Sequence, residues 1–178
     1  MNLLALRRSP TFLTLAVFLA AYALCVARFP VVLSGRVLGD LLTDSAVLGI
    51  AAVGMTVVIV SGGIDLSVGG VMAFSSVFVA VAITHWGLPP IAAFAAILVL
   101  AAGFGAGVGA AIHGLKTPPF IVTLAAMFLS RGGCFVLSKQ STPIHDATYD
   151  RLSSAAIALP GGFTLSLVAM MMLATFIA

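Results

Sequence analysis

The sequence predicts an all-α fold, a polytopic transmembrane bundle of about six helices with a broken-helix segment at residues 62–70. Three observations predict it. Hydrophobic residues fill 62% of the 178 positions and charged residues only 7%, whereas a soluble domain averages about 45–50% apolar and about 25% charged. Eight basic and five acidic side chains cannot cover a water-facing surface, so lipid is the expected solvent for most of it. The apolar residues also fall in six stretches, each near the ~20 residues that cross a hydrocarbon core. In lipid the backbone must satisfy its own hydrogen bonds, which selects helices. The runs are too continuous for the alternating pattern of a barrel.

The first stretch covers residues 11–27 and follows Arg7-Arg8. It lacks a small-x-small cleavage site with a polar start behind it, so it reads as a retained helix rather than a signal peptide. Residues 28–40 carry Phe29-Pro30 and Ser34-Gly35 and read as a loop. The second stretch spans 41–61, the third 66–84 and the fourth 90–113. Trp86 to Pro90 makes a tight turn with an interfacial aromatic. Lys116-Thr117-Pro118-Pro119 makes another, with proline placed to open the fifth stretch at 120–138. Residues 139–162 are the longest polar region, and 146–156 within it predict a short helix capped by Asp146. The sixth stretch starts near Phe163 and runs to residue 178. Residues 1–178 read as one transmembrane domain. The N-terminus is placed in the cytoplasm, because a first helix led by Arg7-Arg8 usually sets the orientation.

A net charge of +3 comes without any basic cluster, so nucleic-acid binding is not expected. Cys25 and Cys134 match no disulfide framework, and no metal-ligand spacing occurs. No G-x-x-x-x-G-K-[ST] loop is present, and Ser61, Ser67, His85 and His113 sit in no nucleophile or metal motif. No catalytic residue is assigned.

The informative stretch is SGGIDLSVGG, residues 61–70. Gly62 and Gly63 can end one helix through positive φ. Asp65 or Ser67 can then accept from the first free N–H groups of the next. Such a break is tolerated at membrane depth only where protein or water covers it. Gly62, Gly63, Asp65, Ser67 and Gly69 are therefore candidates for lining a solute pathway or shaping the break, through exposed half-helix ends. Asp65 keeps two readings, a cap and a pathway carboxylate. Arg131 is a further candidate, inside the fifth stretch and followed by Gly132-Gly133, which can break or kink it. Its other reading is a snorkelling side chain. Gly103, Gly105, Gly107 and Gly109 recur in the fourth stretch as small-xxx-small pairs and read as helix-packing positions.

With these residues in view, LGIAAVGMTVVIVSGGIDLSVG (48–69) resembles the signature of ribose-type sugar ABC transporter permeases, and PFIVTLAAMFLSRG (119–132) resembles a second block of that family. Thr142-Pro143-Ile144, Tyr149 to Ser154 and Pro160-Gly161-Gly162 are most similar to the galactofuranose-import permeases. The resemblance implies a multi-pass protein of the bacterial inner membrane that moves a monosaccharide. It implies as partners an ATP-binding-cassette ATPase, a second permease subunit (homologous or identical), a periplasmic sugar-binding protein and the surrounding lipid. ATP and Mg are used by the ATPase, and no cofactor is expected on this chain. The family's docking segment for the ATPase, of the kind G-R-x-x-Y-A-I-G-G-N, is not found here, so the chain reads as the N-terminal part of a longer permease. Two other readings are kept: an ion-coupled secondary carrier with Asp65 as its ion site, and a non-functional permease fragment.

Overall fold

The computed structural model describes residues 10–159 and 163–177. In chain order the elements are α1 (Pro10–Arg28), a 3-10 turn (Pro30–Leu33), α2 (Gly35–Val60), α3 (Val68–Thr84), α4 (Pro90–Leu115), α5 (Pro119–Leu137), α6 (Ala147–Ser153), β1 (Ala156–Leu159), β2 (Phe163–Ser166) and α7 (Leu167–Ile177). The helical membrane fold expected from the sequence is the fold observed. Three of the described helices, α2, α4 and α5, are long and apolar enough to cross a membrane. Three shorter apolar helices occupy the first, third and sixth stretches.

Local chemistry sets most boundaries. Proline opens α1, α4 and α5 at a position where a missing N–H costs nothing. Asp146 caps α6 as expected, its Oδ1 accepting from Thr148 N–H at 2.8 Å and Tyr149 N–H at 2.9 Å. The sixth stretch departs from expectation. Phe163–Ser166 is strand rather than helix and pairs antiparallel with Ala156–Leu159, Leu159 opposite Phe163. The helix begins only at Leu167, where Ser166 Oγ accepts from Ala169 N–H at 3.1 Å. An N-cap residue is non-helical by nature, so the cap at Ser166 fixes the later start.

The chain divides into two compact units, residues 1–47 with 156–171, and residues 48–155 with 172–178. In the first, the β1–β2 hairpin approaches the early part of α2 at Gly39, where the Thr164 carbonyl leaves no room for a side chain. In the second, α3 is the central helix, packed most extensively on α5 and next on α4. Its Phe78, Val79, Ala82 and Ile83 form a buried cluster with Ala93 and Ile97 of α4. Tyr149 of α6 stacks on Phe94 of α4, ring centroids 6.3 Å apart.

The α4 glycines have open surroundings. A Cβ added at Gly103, Gly105, Gly107 or Gly109 would meet nothing within 4 Å. The close approaches are at Gly70 and Gly133 instead. A Cβ at Gly70 would stand 2.9 Å from the Met127 carbonyl oxygen of α5, and one at Gly133 would stand 2.9 Å from the Phe74 ring of α3. These contacts pair 70 with 127 and 74 with 133, so α3 and α5 run parallel.

Candidate functional site

The break joins α2 to α3 through residues 61–67. Gly62 has φ +79°, a left-handed conformation natural to glycine. Gly63 N–H donates to the Val58 carbonyl at 2.9 Å and Gly62 N–H to Ile59 at 3.0 Å. This 6→1 and 5→2 pair is the Schellman end of a helix. Past it, Asp65 Oδ1 accepts from Ser67 N–H at 2.7 Å and from Ser67 Oγ at 2.6 Å. Asp65 therefore holds the residue at the mouth of α3 rather than the first free N–H groups inside it. Ser67 makes no side-chain cap of its own, because its hydroxyl is turned to Asp65. Its carbonyl accepts the first helical bond, from Val71 N–H at 2.9 Å.

The break rests against α5. Thr123, 2% exposed, donates its hydroxyl to its own helix at Pro119 (2.9 Å) and reaches the Ile64 carbonyl at 3.4 Å. Residues 64–70 thus lie beside 123–127, about 6–12 Å along α5 from its first residue at 1.5 Å per residue. The backbone interruption sits within the length of a membrane-sized helix, not beyond its end. Ser67 and Gly70 are buried and Asp65 and Gly63 half-buried on this side, while Gly62 and Gly69 are exposed. A Cβ at Gly62 or Gly69 would meet nothing within 4 Å. The segment therefore has one face on protein and one face open.

Arg131 is not part of this constellation. Its side chain is exposed, and no hydrogen bond or ion pair to Asp65 occurs among the described residues. The glycines after it do not break the helix, for α5 continues to Leu137. Gly133 is the flat spot on α5 that admits the Phe74 ring. Thr123 and Met127, which seat the break, were not singled out by sequence pattern; a threonine and a methionine inside an apolar run give no local signal. No group of three or more His, Cys, Asp or Glu side chains is placed to hold a metal among the described residues.

A family model described as branched-chain amino acid transport system / permease component matches residues 37–178. The inner membrane ABC transporter permease protein YjfF of Escherichia coli K12 is 49% identical over 171 residues, 96% of this chain and 52% of that protein. The fructose import permease protein FruG of Bifidobacterium longum is 35% identical over 132 residues, 74% of this chain and 38% of its own length. The galactofuranose transporter permease protein YtfT of E. coli K12 is 40% identical over 102 residues, 55% of this chain and 29% of its own. The chain spans about half the length of YjfF and less of the other two. No solved structure matches it. With four-fifths of its residues inside the matched region, the chain belongs to the family of branched-chain amino acid transport system permease components.

Proposed function

We propose that this chain is part of the membrane-spanning permease of an ATP-binding-cassette importer in a bacterial inner membrane, carrying a monosaccharide inward. The observation that carries the reading is the 49% identity to the E. coli inner membrane ABC permease across nearly the whole chain. The substrate class is taken from relatives whose names specify fructose, xylose or galactofuranose. The family description names branched-chain amino acids; the sugar permeases, each at least 34% identical over half of the chain or more, argue for the narrower class.

In this reading the chain performs no covalent chemistry. ATP and Mg are used by a partner ATPase, a periplasmic binding protein delivers the sugar, and a second permease subunit completes the path. The break supplies what a gated path needs: free backbone groups at half-helix ends, held by Asp65 and seated on Thr123. Uptake into proteoliposomes tests this, with the chain carried in a permease of its relatives' full length beside its ATPase and binding protein. Accumulation of a pentose or hexose that requires both partners and ATP is the expected result. Accumulation driven by an ion gradient without nucleotide would identify a secondary carrier, and uptake of leucine but no sugar would reject the substrate class.

A further inference from the structure

A second polar feature lies at the other end of α3 and α5. Because the two helices run parallel, Thr84 and Leu137 end them on the same side. Residues 138–145 leave α5 and cross to α3, where Thr84 Oγ1 donates to the Pro143 carbonyl at 3.4 Å. Ser138 Oγ donates to the Gln140 carbonyl at 2.7 Å and lies 3.3 Å from Thr142 Oγ1. These bonds shape the strap but use few of its polar side chains. His85, Lys139, Gln140 and His145 keep their side-chain polar groups without a protein partner among the described residues.

The strap and the end of α3 border an open groove of about 460 Å³, lined by Thr84, His85, Lys139, Gln140, Ser141 and His145 among others. A second cavity of about 160 Å³ shares Gln140, Ser141 and Thr142 and continues onto Ser76, Val77 and Ala80. Ser76, Ala80 and Thr84 are four residues apart and so lie on one face of α3. Together the cavities follow that face from the helix end to its middle, about 12 Å at 1.5 Å per residue. No carboxylate lines either of them. Another cavity, about 320 Å³ between α3, α4 and α5, is walled mostly by apolar side chains such as Val71, Phe74, Ile97, Leu100, Phe104 and Leu129. A polyol there would lose most of its hydrogen bonds to water.

We propose that the cleft between the 138–145 strap and the Ser76–Ala80–Thr84 face is a binding site for a neutral ring-form monosaccharide, the outer leg of the solute path. The proposal rests on the importer reading. Sugar hydroxyls both donate and accept, and so do the hydroxyl and amide groups gathered here. The groove's volume of about 460 Å³ lies within the ~300–1,000 Å³ range of small-ligand clefts. Lacking carboxylates and opening at the helix ends, the cleft suits a solute that is passed on rather than retained. With the N-terminus inside, it faces away from the cytoplasm.

The test uses the reconstituted complex of permease, ATPase and binding protein. Gln140→Ala and Ser76→Val change exposed side chains, so both should insert normally. Each is expected to lower sugar uptake at least tenfold, with the amount of assembled complex in the membrane at the parent level. Gln140→Asn and Ser76→Thr should recover part of it, which a merely structural role would not predict. A Ser141→Cys reporter in a background without Cys25 and Cys134 should be shielded from an impermeant thiol reagent by millimolar sugar. Full uptake by both Gln140→Ala and Ser76→Val overturns the cleft while leaving the importer reading intact. Shielding by inorganic phosphate but not by sugar marks an anion site and overturns it too. A parent complex that takes up no sugar with ATP sinks the importer reading, and the cleft with it.

Discussion

Gly70 and Gly69 are neighbours with opposite demands. Gly70 lies against the α5 backbone at Met127, where neither helix can give way cheaply, whereas Gly69 faces open space. Gly70→Ala should cost roughly 1–3 kcal/mol by overpacking. Gly69→Ala should be neutral or gain up to ~1 kcal/mol in helix propensity. Thermal unfolding in detergent checks both, and equal effects would refute the seating of α3 on α5. Asp65 has a comparable pair of substitutions. Asp65→Asn retains an oxygen for Ser67 N–H, whereas Asp65→Leu leaves the N–H of the buried Ser67 unpaired, at roughly 1–3 kcal/mol. If the carboxylate acts as a cap, the Asn variant folds and transports while the Leu variant unfolds at lower temperature. If its charge acts on the path, the Asn variant folds but does not transport. Normal folding and transport by both variants would remove any special role for this residue. Asp65 was recognisable in the sequence because a lone carboxylate amid apolar residues stands out. Thr123, which seats the same segment from α5, was not.

Elements came through the sequence unevenly. The helix breaks at Gly62 and at the Pro-rich turns were legible because glycine and proline act locally, through φ and a missing donor. Asp146 was legible for the same reason. The β1–β2 hairpin was missed, although Pro160-Gly161-Gly162 between two short apolar runs is a hairpin signal. Apolarity continuing from Phe163 into the last helix masked it, since a short apolar run does not by itself distinguish strand from helix. The parallel course of α3 and α5 carries a topological consequence. Residues 61–67 lie beside the half of α5 nearer 116–118, and 84–89 and 138–145 lie at the other end. With the N-terminus inside, a cysteine at Ser141 should react with an impermeant reagent from outside and a cysteine at Thr117 should not, in a background lacking Cys25 and Cys134. The reverse pattern would invert the orientation.

At the scale of the molecule, exposure is the dominant feature. Leu98 and Val99 of α4 are 70% and 73% exposed, on a helix whose glycines face nothing. A packing role for Gly103, Gly105, Gly107 and Gly109 is thus a proposal about neighbours beyond the described residues, within a complete transporter. Gly107→Leu tests it. In the 178-residue chain this change should leave thermal stability within about 0.5 kcal/mol or raise it, since nothing is displaced and leucine favours helix. In an assembled transporter it should reduce the yield of intact complex on size-exclusion chromatography. An unchanged yield would show that lipid, not protein, covers this face.

The sequence by itself determined the solvent, the helical class, most helix ends and the place of the break. Each of these follows from composition or from the conformational limits of single residues, and neither needs knowledge of a distant neighbour. The tertiary structure alone decided that Gly70 and Gly133 are the close approaches between α3 and α5, that Arg131 stands apart from Asp65, and that residues 138–145 cross to α3 beside a polar cleft. Those outcomes depend on which residue of one helix meets which residue of another. In a chain where nearly every position is apolar, that register is set by a few close contacts such as Gly70 on Met127 and Phe74 on Gly133, and no periodicity in the sequence announces them.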